Sequence, residues 1–271
     1  MTKRRARAGR PAARRIPVPR STKCYGWIPD LPDVRDFRYR APAITLGALP
    51  TYVDLRADCP PIYNQGALGS CTAHAIAGAL EFDQMRQQES DVFLPSRLFI
   101  YYNERAIEGT TDEDAGAMLR DGIKSVAKQG APHERIWPYV PRKFRSKPSA
   151  GAYTDGARHP ALLYRRITQD LAQLKACLTE GFPFVFGFSV YESFESAAVA
   201  KSGHATLPTA NERLLGGHAV LAVGYDTANE RFIARNSWGS SWGLAGYFTI
   251  PFAYLMDPNL SDDFWTVTLV R

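Results

Sequence analysis

Cys71 is the residue of this chain best placed to do chemistry. It precedes an alanine-rich stretch that reads as a helix, and the partial positive charge at a helix N-terminus favours a thiolate over a thiol. Gln65 lies upstream, close enough to turn its side-chain amide back toward the sulfur. Much further along, His218 and Asn236 supply an imidazole and an amide. These are the parts of a cysteine nucleophile, its base, an orienting group and an oxyanion donor.

His218 is the histidine best suited to act as the base. Glycines stand directly before it and an apolar strand follows, so the backbone can approach closely while the strand fixes the ring. His74 falls one turn along the same helix as Cys71, and the sequence suggests no acceptor to orient its ring. The other histidines occur in loop-like contexts: His133, His159 and His204.

The elements that must position these residues fall into a helical first half and a strand-rich second half. Apolar periodicity predicts helices from Ser70, over 96–108 and over 116–128, with a short one over 168–180. Runs of apolar, β-branched and aromatic residues predict three strands: 184–190, 219–225 and 231–235. This order predicts an α+β fold with a cleft between two lobes.

Composition and charge limit the class of protein. The 271 residues are 45% hydrophobic and 22% charged, as in ordinary globular proteins, and no apolar run is long enough to span a bilayer. The net charge of +6 comes from residues 1–24, which hold nine Lys and Arg and no acid. We predict that this arm is disordered. Because no aromatic residue lies among its bases, nucleic-acid binding is not expected, although another anionic partner stays open.

Cysteine usage and the N-terminus bear on cofactors and location. The four cysteines are Cys24, Cys59, Cys71 and Cys177; they include no C-x-x-C pair and no cluster with zinc-ligand spacing. We therefore expect no metal and no other cofactor. Sparse cysteines and the lack of a secretory h-region predict a cytoplasmic protein, or one exported by a route without a recognisable secretory signal.

Several short motifs occur in a specific order from Leu49 onward. They are Leu49-Pro50-Thr51-Tyr52-Val53-Asp54-Leu55-Arg56, Asn64-Gln65-Gly66 through Cys71, Trp137-Pro138-Tyr139, Gly217-His218-Ala219-Val220, Gly224-Tyr225, Asn236-Ser237-Trp238-Gly239, Trp242-Gly243 and Gly246-Tyr247. With them, the chain resembles the papain/cathepsin family of cysteine peptidases, and most of all its short bacterial members that lack disulfides. The resemblance implies a papain-like two-lobed fold: a helical left lobe, a β-barrel-like right lobe and an active site in the cleft between them.

Three positions depart from the family pattern. Leu68 stands where the family has a second cysteine, so the associated disulfide cannot form. Thr72 replaces the usual aromatic after the nucleophile, and His74 stands where a Phe is expected. None of these changes removes a chemical role.

The resemblance assigns a role to each catalytic candidate. Cys71 would attack the scissile carbonyl as a thiolate paired with the His218 imidazolium, and Asn236 would set the histidine ring. Trp238 would shield that bond from water. Gln65 would donate to the developing oxyanion together with the backbone N–H of Cys71.

The resemblance also implies a substrate-binding region. The matching stretch comprises Gly116, Ala117, Met118 and Leu119, which suggests an apolar pocket, and Gly217 leaves room on the opposite wall. If Asp262 or Asp263 lies at the pocket floor, a basic side chain could enter as well. Trp242 is either packing or a wall for residues that follow the scissile bond.

We therefore expect a cysteine endopeptidase that acts on peptides or proteins as a monomer. Residues 1–24 form the basic arm, 25–48 an extended pro-region or lid over the cleft, and 49–271 the peptidase domain. Its helical lobe spans about 60–150 and its β-rich lobe about 165–271. Alternatives are an exopeptidase or acyl transferase on the same site, or a protein that binds a polyanion through the arm.

Overall fold

The computed structural model describes residues 25–159 and 162–269, so the basic arm lies outside the described residues. Within them are eight α-helices: α1 (Ala43–Gly47), α2 (Cys71–Arg86), α3 (Arg97–Glu108), α4 (Leu119–Gln129), α5 (Ala150–Gly156), α6 (Leu171–Thr179), α7 (Ala197–Ser202) and α8 (Phe252–Met256). The strands are β1 (Trp27–Ile28), β2 (Tyr52–Asp54), β3 (Ala117–Met118), β4 (Leu162–Arg166), β5 (Phe184–Tyr191), β6 (Leu214–Asp226), β7 (Arg231–Arg235), β8 (Tyr247–Pro251) and β9 (Ser261–Leu269).

The first lobe is built around α2. Small alanines and large apolar residues alternate along this helix, and it is buried from Cys71 to Gln84, as expected of a helix that is apolar on all sides. Helix α3 begins at Ser96, whose hydroxyl accepts the Phe99 N–H, and ends at Gly109 in a left-handed conformation. Both helices pack with α4.

The second lobe is an antiparallel sheet with the strand order β4-β9-β5-β6-β7-β8, to which β2 adds along β6. The sequence placed His218 at the start of a strand, but β6 begins four residues earlier at Leu214. His218 therefore lies inside β6, opposite Phe188 of β5. Asn236 follows directly after the last residue of β7.

One apolar core joins the two lobes. It includes Ile76 of α2, Val185 of β5, Leu221 of β6 and Trp265 of β9, all of them buried. A second core fills the opposite face of the sheet and is rich in phenylalanine. The α+β, two-lobed architecture expected from the sequence is confirmed, and α2 forms the wall that both lobes share.

The segment 25–48 lies along the body of the protein. Strand β1 pairs in parallel with β3, and Trp27 lies opposite Ala117. Further on, Arg166 of β4 donates its backbone N–H to Phe37 O and accepts the N–H of Tyr39. Trp27 and Tyr39 are both buried, so the segment contributes to the folded core.

Candidate active site

The nucleophile candidate occupies the first turn of α2 and is completely buried. Backbone N–H groups of Ala219 and Gly26 donate to the Cys71 sulfur. Burial nevertheless raises the pKa of the thiol to about 12. In this arrangement Cys71 is therefore held as a thiol, and the helix terminus does not compensate for the loss of water.

His218 is oriented by Asn236 through a bond whose direction can be assigned. Asn236 Oδ1 accepts the backbone N–H of Ser237 at 2.8 Å, and that group can only donate. The same oxygen lies 2.8 Å from His218 Nε2, so Nε2 carries the proton. The basic nitrogen of a neutral His218 is then Nδ1. Trp238 stacks on the imidazole with ring centres 4.8 Å apart and covers the pair.

Gln65 links the loop that precedes Cys71 to Ser237, the residue directly after Asn236. Its Nε2 donates to Leu68 O at 2.9 Å, and its Oε1 accepts the Ser237 hydroxyl at 2.6 Å. Its backbone N–H bonds to Ser237 O at 2.9 Å. Through these contacts and the Ala219 contact to the Cys71 sulfur, the structure brings the four predicted catalytic side chains into one site.

The cleft above Cys71 is occupied by the chain's own segment. Gly26 donates to the sulfur and its carbonyl accepts the Ala117 N–H at 2.7 Å. A Cβ at Gly26 would collide with the backbone of Gly69, and a Cβ at Gly116 would collide with Gly26. Only glycine allows the two backbones to approach so closely.

The segment does not present a carbonyl carbon for attack. The N–H of Gly26 points at the sulfur of Cys71, so in a trans peptide the Tyr25 carbonyl points away from it. The Gly26 carbonyl is directed at Ala117 instead. Neither of the two peptide carbonyls that flank Gly26 is therefore directed at the sulfur.

Tyr25 covers the histidine side of the cleft. Its ring meets His218 and Trp238 edge-on, with centroid separations of 6.3 and 6.4 Å. The phenol donates to Glu195, and burial and this carboxylate together raise the pKa of Tyr25. Nothing in the sequence signalled this contact, because Glu195 lies far away along the chain.

Trp27 fills the predicted substrate pocket. Its indole lies over Gly187, where any Cβ would collide with the ring, and its carbonyl lies against Gly217. Its Nε1–H donates to Asp263 Oδ2 at 3.0 Å. Asp263 is fully buried and adopts a left-handed backbone conformation with φ of 59°, which an Asp tolerates better than a β-branched residue.

Not every predicted pocket residue borders this cleft. Gly116, Ala117 and Gly217 contact the segment. Met118 is half-buried and its N–H donates to Glu108. Leu119 was expected to line the pocket, but it begins α4 and packs in the core with no exposed surface. The predicted helix 116–128 therefore starts three residues later, because β3 precedes it.

Trp242 packs among other aromatic rings. Its ring contacts Trp238 at 5.0 Å, Phe194 at 5.7 Å and Phe248 at 5.8 Å between centroids. It is buried and supports the Trp238 ring from behind.

Comparisons with known proteins agree with this geometry. A family model described as papain family cysteine protease matches residues 49–254. The chain belongs to the papain family. Family members are peptide hydrolases that act through a cysteine, and the resemblance seen in the sequence is confirmed.

Three relatives show how close the match is. An uncharacterised peptidase C1-like protein of Acanthamoeba polyphaga mimivirus is 48% identical over 212 residues, which cover 75% of this chain and 68% of that protein. Xylellain, a cysteine protease from Xylella fastidiosa, is 46% identical with a TM-score of 0.86 and covers 92% of this chain and 97% of its own. Pro-cathepsin H of Mus musculus is 30% identical over 222 residues, 75% of this chain and 61% of that relative.

This papain-family chain also holds its segment through a buried ionic cluster that sequence reasoning missed. Asp30 Oδ1 accepts the backbone N–H of Arg120 at 3.0 Å, and its Oδ2 accepts the Trp265 indole at 2.9 Å. Arg166 donates to Asp263 at 2.8 Å, and Asp263 also accepts the backbone N–H of Asp30. Burial raises the pKa of Asp30 above its usual value and that of Asp263 to about 7.

The acidic residues of this cluster carry a weak local signal, but their partners do not. Asp30, Asp33 and Asp36 recur every three residues in the segment, and Asp36 pairs with Arg120 at 2.6 Å. The arginines come from α4 and β4, more than 80 positions away. Only the fold brings these charges together.

Outside the cleft, histidines meet acids at one further place. His133 Nδ1 lies 2.9 Å from Asp155 and its Nε2 lies 3.2 Å from Asp91, while His159 lies near Asp155. Both ring nitrogens of His133 are thus engaged by carboxylates, and Phe93 stacks against both imidazoles. These contacts account for the cluster as a network of imidazole and carboxylate side chains that serve as one another's partners. Within the described residues, no helix is both long and apolar enough to cross a bilayer.

Proposed function

We propose that the chain is a cysteine endopeptidase in which Cys71, His218, Asn236 and Gln65 carry the chemistry and residues 25–48, when docked, lower its activity by covering Cys71. The observation that carries this proposal is the Gly26 N–H bonded to the Cys71 sulfur, inside a site that already contains the other three residues. Pro-cathepsin H, a relative named as a pro-form, supports the idea of a zymogen.

The reaction begins when the segment leaves and the sulfur regains contact with water. His218 Nδ1 takes the thiol proton, and the Cys71 thiolate forms a bond to the scissile carbonyl carbon. The carbonyl oxygen becomes negative and accepts from Gln65 Nε2 and the Cys71 N–H. The imidazolium then gives its proton to the leaving amine as the C–N bond breaks. Water hydrolyses the thioester, and His218 acts again as the base.

Asn236 keeps this proton transfer at the correct nitrogen. Its Oδ1 accepts from His218 Nε2, so Nδ1 is the nitrogen that exchanges a proton with the sulfur. Trp238 lies over the bond and keeps water from competing for it, which strengthens it in a low dielectric.

The path of the segment favours an endopeptidase over an exopeptidase. Tyr25 lies on the His218 side of the sulfur and Trp27 lies on the Ala117 side, so a continuous chain passes through the cleft. An enzyme that removes terminal residues needs one end of its cleft closed. Hydrolysis of peptides blocked at both ends is expected; cleavage restricted to free termini would support the exopeptidase alternative.

The pocket that holds Trp27 indicates the preferred substrate. Its walls at Gly187 and Gly217 accept a large flat side chain, and Asp263 offers a carboxylate to a donor. We infer that peptides with an aromatic or basic residue at the matching position are cleaved best.

The activity is tested with a thiol-reactive epoxide inhibitor and the variant Cys71→Ala. The wild-type chain is expected to be alkylated at Cys71 and to hydrolyse peptides, and the variant should do neither. Cys177→Ala is the matched control, because Cys177 is equally buried and lies in the second core. Undiminished hydrolysis by Cys71→Ala would refute the proposed function.

The inhibitory role of the segment is tested with one methyl group. Gly26→Ala places a Cβ against the backbone of Gly69 and should prevent docking, so Cys71 alkylation and peptide hydrolysis should accelerate at least tenfold. Gly47→Ala is the matched control on the same segment, because nothing lies within 4 Å of its Cβ position. Equal alkylation rates in the two variants would exclude a lid.

A further inference from the structure

A small cavity lies behind the catalytic amide. It measures about 10 Å³ and is lined by nine buried residues, among them His74 of α2 and Asn236 after β7. A cavity of this size holds one water molecule, provided that polar groups face it.

Two polar atoms among the lining residues have no hydrogen-bond partner among the described residues, and one of them donates while the other accepts. Asn236 Oδ1 bonds to Ser237 and His218, while its Nδ2 is buried and has no hydrogen-bond partner among the described residues. His74 Nε2 is likewise buried without a partner among them. The amide nitrogen can only donate, and a buried donor left unpaired destabilises the fold.

The proton of His74 can be placed. Its Nδ1 lies 2.8 Å from the backbone carbonyl of Ser70, which can only accept, so Nδ1 carries the hydrogen. This contact also corrects the expectation that His74 lacks an orienting acceptor. Burial, with the positive charge of Arg97 among the causes, lowers the pKa of His74 well below its usual value. The ring is therefore neutral and Nε2 offers a lone pair.

We infer that His74 is a positioning residue that holds Asn236 through one water molecule in this cavity. The water accepts from Asn236 Nδ2 and donates to His74 Nε2, so the amide cannot rotate away from His218. This role rests on the proposed function, because it acts on the catalytic histidine through its orienting group.

The surroundings of His74 allow its shape and its hydrogen bonds to be tested separately. The ring is enclosed edge-on by Tyr63 and Tyr139, with centroids at 6.1 and 4.8 Å. A Phe fits such an aromatic surround but offers no acceptor. A Gln can donate to Ser70 O with its amide nitrogen and accept the water with its oxygen.

The test compares His74→Phe and His74→Gln in the full-length chain. His74→Phe should lower kcat for peptide hydrolysis about tenfold with KM within about twofold, as expected for the loss of one hydrogen bond that acts on the reacting group. His74→Gln should recover kcat to within about threefold of wild type. An unchanged kcat in His74→Phe, or equal losses in both variants, would overturn the inference.

A crystal structure tests the proposed water bridge between His74 and Asn236 even if a variant fails to fold. A high-resolution crystal structure of the wild-type chain should show one ordered water within hydrogen-bond distance of Asn236 Nδ2 and His74 Nε2. An empty cavity there would overturn the role of His74. If the wild-type chain neither hydrolyses peptides nor alkylates at Cys71, the proposed function fails, while the water site remains to be judged on this density alone.

Discussion

At the scale of single residues, Gln65 has contacts beyond those needed for its proposed role in the oxyanion hole. Both ends of its amide are engaged, with Leu68 O on one side and the Ser237 hydroxyl on the other. These contacts fix the amide plane before any substrate arrives, so no reorganisation is needed as charge develops on the carbonyl oxygen.

Gln65→Ala is expected to lower kcat by about 10²–10³-fold, because one oxyanion donor is lost, while KM changes little. Steady-state kinetics on a blocked peptide measure this split. Gln129→Ala, at the end of α4 and away from the cleft, is the control and should behave as wild type. A comparable loss of activity in Gln129→Ala, or none in Gln65→Ala, would contradict the assignment.

The candidate catalytic residues could be selected from the sequence because each lies in a short local pattern. Cys71 is the first residue of an alanine-rich helix, and His218 follows two glycines within an apolar strand. The pairing of Asp30 with Arg166 could not be predicted, since the two are 136 positions apart and Arg166 has no local signal. The start of the helix predicted over 116–128 was wrong because a two-residue strand is too short to alter apolar periodicity.

At the scale of elements, the docking of segment 25–48 buries two carboxyl groups, one on the segment and one on the sheet. Asp30 belongs to the segment and Asp263 belongs to β9. The charged groups that face them are Arg120, Arg166, Asp36 and Asp262. Burial raises the pKa of both carboxyl groups, and repulsion from Asp30 and Asp262 raises that of Asp263 further.

We expect docking to weaken as pH rises. The docked state raises the pKa of Asp30 and moves that of Asp263 from 3.8 to about 7, so it binds protons more tightly than the released state. The resulting stabilisation is complete below the ordinary pKa and is lost as pH rises through about 7.

The measurement is the rate of Cys71 alkylation in the wild-type chain divided by the rate in Gly26→Ala, from pH 5 to pH 8. The ratio cancels the ionisation of the thiol itself, because both chains carry it. It should increase with pH. A ratio that falls as pH rises would show that other groups control docking.

At the scale of the whole molecule, the cleft depends on how the two lobes are joined. Helix α2 contributes to a core that includes β5, β6 and β9. Arg235, at the end of β7, adds a polar link: its guanidinium donates to Pro60 O at 2.6 Å and Pro61 O at 2.5 Å and lies over the Tyr63 ring. These contacts hold the segment that contains Pro60 and Pro61, and that leads to Gln65, against the sheet.

Arg235→Lys is expected to destabilise the fold by about 1.5–3 kcal/mol, since an ammonium cannot bond to two carbonyls in a plane and stack on the Tyr63 ring at once. Urea unfolding followed by circular dichroism measures the change. Arg158→Lys, at an exposed position, should leave the midpoint in place. Equal midpoints for the two variants would mean that the apolar core alone sets the position of the lobes.

The covalent continuity between Trp27 and the peptidase domain has a kinetic consequence. A tethered occupant has an effective concentration on the order of millimolar, and this does not change when the protein is diluted. If the segment inhibits as proposed, a peptide competes with it at every protein concentration, and we expect the docked segment to raise the apparent KM and to leave kcat at saturation unaltered. The competition ends at a saturating substrate concentration, or when the peptide chain between the segment and the peptidase domain is cleaved.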